Sequence, residues 1–376
     1  MKSSTHKFVY APALRASQAR VSFQHGLSLI ELMISITIGL LILVALSTLF
    51  INQSKARVEL DKSNRMIDNG RYALEILSNN LSLAGFYDNY APFGAATQVY
   101  DPCLTTAITD TTIITDSTLG LNIPKNLDIL RLPVYGYDAA TPTNQISSPP
   151  CGLTYTAGSD LTLKAGSDIL VVRRANTTVA TSAASSYIYL QVSMCPTDTA
   201  APPFNYQIAT APASFSNLHQ KDCATPANLR LFNVYTYFVS PNDKVVGGVG
   251  DGIPTLKQID QYGNVTPLVE GIEYLQIEYG LDDPTKDSNG DGIIGLDGIA
   301  DSYSSCAACS LTDWSNVVSV KVNILARNTE ATNNYTDNKT YPLGVAGSLT
   351  PNDHFKRHAF TQYIRLVNPA GRREIP

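Results

Sequence analysis

Acidic residues are absent from the first 30 positions of this chain, and between Glu31 and Lys55 there is no charge of either sign. Charge is scarce throughout: Asp, Glu, Lys and Arg make up 16% of the 376 residues. The basic residues form no patch, and Arg173-Arg174 and Arg372-Arg373 stand as isolated pairs. A nucleic acid partner needs clustered Lys and Arg against its phosphates, so that class is excluded. Catalytic signatures are missing as well: no G-x-S-x-G, P-loop or H-E-x-x-H occurs. The five histidines, at 6, 25, 219, 354 and 358, make no ligand pattern. His354 and His358 share an i,i+4 spacing and Asp353 is adjacent, but they lead into a strand, which disfavours a metal site there. The chain reads as non-enzymatic.

What is present begins with the uncharged run. From Leu32 to Ser54 it is long enough for the roughly 20 apolar residues a bilayer requires. The 26 residues before Leu27 carry Lys2, Lys7, Arg15 and Arg20 and no acid, so the leader stays cytoplasmic and the C-terminal bulk is translocated. A secretory signal peptide would have a shorter apolar core ending in a small-residue cleavage site. Here Ala45-Leu-Ser47 is flanked by apolar residues on both sides. Glu31 sits just inside the start of this run. A carboxylate there is costly in lipid and requires a partner, so it is a functional candidate. Beyond the run, Met66, Gly70, Ala73, Leu77, Leu81 and Ala84 recur at spacings of three and four, one face of a continuing helix. Gly85 is a left-handed C-cap candidate with Pro92 following, which predicts a helix of about 85 Å from Ser28 to Ala84.

Gly26 followed by Leu27-Ser28-Leu29-Ile30-Glu31 resembles the class III signal of type IV prepilins and pseudopilins. The resemblance implies that a prepilin peptidase cuts after Gly26, that Leu27 becomes the N-methylated terminus, and that Glu31 is the fifth mature residue. In a helix bundle that excludes lipid and water, the new α-amino group of a neighbouring subunit would supply the cation Glu31 needs. The leader is longer than is usual for major pilins. Its loss removes four positive charges and takes the formal net charge from −5 to −9. The organisation expected is a leader at 1–26, a membrane and filament-core helix at 27–54, an amphipathic half at 55–85 and a head at 86–376.

The head of about 290 residues reads as β-rich. Val318, Val320, Val322 and Ile324 alternate with Ser319, Lys321 and Asn323, and Leu275, Ile277 and Tyr279 with Tyr274, Gln276 and Glu278. Further strands are expected at 127–135, 168–174, 187–193, 230–239 and 358–367. No helical pattern follows these strands, so a doubly wound parallel sheet is excluded. Long Thr/Ala/Pro/Ser-rich connections occupy 103–119, 138–160 and 196–226, and loops of this length are functional or poorly ordered. The fold class is therefore α+β: a long N-terminal helix, half in the membrane and half amphipathic, packed on an antiparallel sheet head with long insertions.

Six cysteines, Cys103, Cys151, Cys195, Cys223, Cys306 and Cys309, all fall in this translocated part, where disulfides form. Fifteen connectivities are open; proximity along the chain favours Cys103–Cys151 and Cys195–Cys223. Cys306-Ala-Ala-Cys309 lacks the strand-to-helix setting of a redox motif and reads as a short structural bridge. Asp287-Ser-Asn289-Gly-Asp291-Gly292 matches the first six positions of a Ca²⁺ loop, with the Ile293 carbonyl at the seventh. Gly298 stands where an EF-hand has Glu, so a complete EF-hand is excluded. Asp297, Asp301, Asp282 or Asp283 could complete an irregular site, and a solvated acidic turn is the equal alternative.

Asp68-Asn-Gly70-Arg-Tyr-Ala-Leu-Glu75 running to Leu83-Ala-Gly-Phe86 resembles the PilW group of type IV pilus minor pilins. So do Gly271-Ile-Glu273-Tyr-Leu-Gln276, Trp314-Ser-Asn316-Val317-Val318-Ser-Val320, and Phe360-Thr361 with Arg365-Leu366. The resemblance covers 26–86 and about 268–367 and leaves out the Cys/Thr-rich insertions. It implies a low-copy pilin that primes pilus assembly near the filament tip and thereby supports twitching motility. The implied partners are other minor pilins, the major pilin, the inner-membrane assembly platform, the prepilin peptidase and a tip adhesin. The chain would span the inner membrane once with its head in the periplasm, then become extracellular in the pilus. A minor pseudopilin of a type II secretion system shares the helix logic, and an adhesin binding a ligand through the head insertions is the alternative of another class.

Overall fold

The computed structural model describes residues 28–198, 205–287 and 294–374. Two compact units divide at Val58 and Glu59, and one helix, α1 (Leu29–Ser82), contributes to both. In the first unit every described side chain from Ser28 onward is exposed, and the stretch is long and apolar enough to cross a membrane. Its hydroxyls bond to the helix's own carbonyls: Ser35 to Glu31, Thr37 to Met33 and Ile34, Ser47 to Leu43, Thr48 to Ala45. The hydroxyl donors of Ser35, Thr37, Ser47 and Thr48 are thereby satisfied within the helix, which is how Ser and Thr are accommodated in lipid.

In the second unit the rest of α1 is amphipathic. Met66, Gly70, Ala73, Leu74, Leu77 and Leu81 form its buried face. Beyond Ser82 the chain turns through Gly85, whose φ of 71° is the left-handed value expected of a C-cap glycine. A side chain there would also press on Pro133, 3.1 Å from the built Cβ.

Two antiparallel sheets pack against that face. The first is built from β1 (Val134–Tyr137), β2 (Ile169–Ala175), β3 (Tyr189–Val192), β4 (Tyr206–Ala209), β5 (Leu229–Ser240), β6 (Thr255–Asp260) and β7 (Val265–Glu270). Its order is β7-β6-β5-β2-β1, with β3 pairing one half of β5 and β4 pairing β3. The second contains β8 (Ile272–Leu281), β9 (Ser302–Ser304), β10 (Val317–Arg327) and β11 (Arg357–Arg365), in the order β9-β8-β10-β11. Leu77 and Leu81 of α1, Leu170 and Val172 of β2, Tyr237 of β5, Leu275 and Ile277 of β8 and Val320 and Val322 of β10 share one core. The α+β arrangement read from the sequence is the one observed. The strands expected near 168–174, 187–193, 230–239, 274–279, 318–324 and 358–367 correspond to β2, β3, β5, β8, β10 and β11.

Two readings need correction. Residues 127–131, expected as strand, form a short helix, α2 (Leu127–Arg131), and only Val134–Tyr137 is extended. The cause is a buried contact: Arg131 bonds Asp128 one turn back and Asp116, the last residue of the short strand Ile113–Asp116, at 3.1 and 3.0 Å. β8 and β10 are also buried on both faces over much of their length rather than half-buried. The segment around Tyr341, Leu343 and Ala346 folds over Tyr274 and Leu325, covering the face that alternation assigns to solvent. The β6–β7 hairpin went unread, although Tyr262-Gly263-Asn264 marks its turn; Pro267 in β7 obscured the strand.

Candidate functional site

The helix start carries the first candidate set. Gly26 and Leu27 lie outside the described residues. From Ser28 the geometry is a capping box: the Ser28 N–H donates to Glu31 Oε2 (2.9 Å), and the Glu31 N–H donates to Ser28 Oγ (3.2 Å). Two of the donors that every helix start leaves without intrahelical acceptors are thus satisfied reciprocally. Within one chain, then, Glu31 holds its own helix terminus. Its carboxylate also sits where the helix dipole favours negative charge.

In the head the cysteines are all bonded: Cys103–Cys151, Cys195–Cys223 and Cys306–Cys309. The first two staple the insertions. Cys151 N–H also donates to Asp101, so the strap is anchored at two points. Among the described residues the one group of metal-type ligands close enough to share an ion is Asp101, Cys103 and Cys151. Two of those three are joined to each other, which removes it as a metal site. After Cys309 the chain enters α3 (Leu311–Ser315), which Ser310 and Asp313 cap reciprocally. That short helix places Trp314 edge-on to Tyr279 in the core.

The Asp-rich turn is described only at its ends: Asn289, Asp291 and Ile293 lie outside the described residues. Asp297 Oδ1 accepts the Ile299 N–H (2.8 Å), and Asp301 Oδ2 accepts the Asp283 N–H (2.7 Å). Lys286 and Thr285 hold the Asp283 carboxyl down at about 2. Asp287 is engaged by other groups too. Asp282 is fully buried; its Oδ2 accepts from Gly298 N–H and Arg373, while Oδ1 has no hydrogen-bond partner. His354, His358 and Asp353 are drawn apart: His354 Nδ1 is 2.6 Å from the Tyr335 carbonyl, the His358 ring meets Phe360, and Asp353 clamps Arg357.

Besides Arg131 with Asp128 and Asp116, two further buried polar constellations among the described residues escaped the sequence reading. Arg357 lies among three carboxylates, 2.5 Å from Glu273, 2.6 Å from Asp353 and 3.3 Å from Asp337. Tyr341 donates to Asp337 within the 328–356 excursion, and the Asp337–Arg357 pair ties that excursion onto the sheet. The other is Asp168, whose two oxygens accept the N–H groups of Ala139 (2.8 Å) and Ile277 (2.7 Å). Burial pushes its carboxyl up to about 8, against the opposing pull of those two donors. With Ser167 and Gln276, which bond Leu275 and Gly166, it stitches the first sheet to β8. Neither group resembles a catalytic arrangement: each polar contact is an internal clasp.

A membrane-length helix opening on a capped acidic residue and continuing into an antiparallel head defines a pilin-like protein. The prokaryotic N-terminal methylation motif matches residues 22–47, spanning the glycine, Leu27 and Glu31. The family model described as Type IV Pilus-assembly protein W matches residues 236–368, from β5 to the end of β11. Together the two matches support a type IV pilus minor pilin of the PilW kind. No curated protein and no solved structure matches the chain.

Proposed function

We propose that this minor pilin primes or supports pilus assembly within a complex of minor pilins at the filament tip. The observation that carries the reading is the pairing of a prepilin signal on α1 with a bulky two-sheet head, since such a head fits poorly into a tightly repeated filament. The leader would remain cytoplasmic and the head periplasmic until extraction into the pilus. The prepilin peptidase would process it, the inner-membrane platform would extract it, and α1 would contact the major pilin. Other minor pilins and a tip adhesin would meet the head. No chemical step is assigned to it. The test is a deletion strain scored for surface pili and twitching. Loss of both, restored by the intact gene, is the expected result; normal pili with lost adherence would favour an adhesin instead.

We also propose that Ca²⁺ binds the Asp287–Asp297 turn. The pattern of oxygen-bearing residues supports it, as does the buried Asp282 Oδ1 at its base, a hard anionic donor without a hydrogen bond.

A further inference from the structure

We propose that β11 is a docking edge: from Thr361 to Arg365 it takes up an extended, acidic segment of another pilus subunit as an added strand, with one apolar side chain in the cleft alongside. The inference rests on the pilus reading for the source of the partner.

Among the described residues β11 pairs only with β10 and closes its sheet. The bond from Leu366 N–H to the Val318 carbonyl (2.9 Å) fixes the phase of that pairing. In the same register Ile364, Gln362 and Phe360 exchange bonds with Val320, Val322 and Ile324. The N–H and C=O groups of Thr361, Tyr363 and Arg365 therefore point away from β10. Among the described residues none of these six groups has a backbone or side-chain partner. Nearer the start of β11 the edge is closed, because Tyr341 donates to the Arg357 carbonyl and Ala359 packs under Leu343.

Proteins usually blunt such edges, and the other edges here are blunted. β7 carries Pro267 and pairs with β6 across a bulge at Leu256/Lys257. β9 has three residues, and β1 and β4 have four each. β11 has nine residues, regular pairing and no proline.

Beside the open stretch lies a cleft of about 560 Å³, with Tyr303 and Tyr363 on its sides and Val318 and Ile364 among its lining. The two rings meet edge to face at 5.3 Å, and Tyr363 and the neighbouring Ile299 are exposed. A strand laid along β11 would project every second side chain over this face, where an apolar one fills the cleft. Charge selects the segment: Arg357 is enclosed by carboxylates, which leaves Arg365, at the open end, as the cation that β11 offers a partner. Arg365 is paired with Glu374, but both are half exposed, a pairing weak enough for an incoming carboxylate to replace.

Proline offers a clean test, because the Tyr363 N–H makes no bond to β10 and its loss leaves the sheet intact. Full-length Tyr363→Pro, Tyr363→Ala and wild type are produced in the deletion strain and quantified in sheared pili by immunoblot. Melting curves of each, purified in detergent, check the fold. The expected result is loss of Tyr363→Pro from pili with a melting point matching that of Tyr363→Ala, which itself is retained at a reduced level. Wild-type recovery of folded Tyr363→Pro in pili overturns the docking edge. Should Tyr363→Pro melt well below Tyr363→Ala, Arg365→Glu decides instead: unchanged incorporation of that variant overturns the proposal. A dimer of the purified wild-type chain that Tyr363→Pro abolishes replaces the assigned partner with a second copy. Absence of the wild-type chain from pili would instead reject the pilus reading itself.

Discussion

Phe360 on β11 occupies the space where a side chain at position 70 of α1 would begin: a Cβ built on Gly70 stands 2.2 Å from Phe360 Cε2. A glycine inside a helix costs about 1 kcal/mol relative to alanine. Here it buys the close approach of the helix to the sheet. Gly70→Ala therefore regains that propensity but displaces the ring, at about 1–3 kcal/mol for overpacking. The expected net effect is a lower melting point, larger for Gly70→Leu and partly rescued when Phe360→Ala is added. A stabilised Gly70→Ala would show that the ring swings aside freely.

Asp168 gives the head a pH dependence of unusual sign. Its folded carboxyl titrates at about 8, above the unfolded value of 3.8. The folded state thus binds the proton more tightly. The associated stability is complete below the unfolded value and is lost as pH rises through the folded one. Carboxyls lowered by partners, such as Asp353 beside Arg357, lose stability instead only as pH falls toward the acid range. Melting temperature is expected to fall between pH 5 and 8.5, and Asp168→Asn should flatten that slope whatever its baseline. An unchanged slope in the variant would assign the dependence to another group.

Arg357→Ala would leave the buried Asp337 without its cation and Glu273 with only Arg327, 3.4 Å away. Breaking a buried pair from one side costs about 3–5 kcal/mol. Arg357→Lys keeps the charge and loses the forked geometry, so its loss should be intermediate. Detergent-solubilised variants compared by melting provide the ranking, and equal effects of Ala and Lys would point to geometry alone.

At the helix start, Gly26→Ala should block processing, and the intact mass of the wild-type membrane protein should place its terminus at Leu27. Glu31→Val should still insert, since losing a charge eases membrane residence. It also removes one side of the Ser28 capping box, a loss of about 1 kcal/mol at the helix terminus. Incorporation into pili is expected to fail or weaken. Full incorporation of Glu31→Val would refute the pairing with a neighbouring amine.

Calcium is expected to raise the melting point of the full chain when several millimolar CaCl₂ replaces EGTA. A ligand at 100 times its Kd stabilises by about 2.7 kcal/mol. The gain should vanish in Asp287→Ala with Asp291→Ala. A wild-type melting point indifferent to calcium returns the turn to a solvated connection.

Local pattern alone determined a good part of this protein. The spacing from Met66 to Ala84 marked the buried face of α1, because helical period survives any packing partner. The alternation in β8 and β10 marked strands for the same reason, and Gly26 to Glu31 marked the prepilin signal. Tertiary structure decided what depends on residues far apart in sequence. The run Leu127-Asp-Ile-Leu-Arg-Leu132 is too short for its period to separate helix from strand. Asp116, brought beside Arg131 by the fold, is part of what settles it. Glu273 and Arg357 are 84 positions apart and Asp168 and Ile277 are 109 apart, so neither clasp leaves a local trace. The open edge of β11 is likewise a property of strand order, which follows from what the sheet packs against rather than from any strand's own residues.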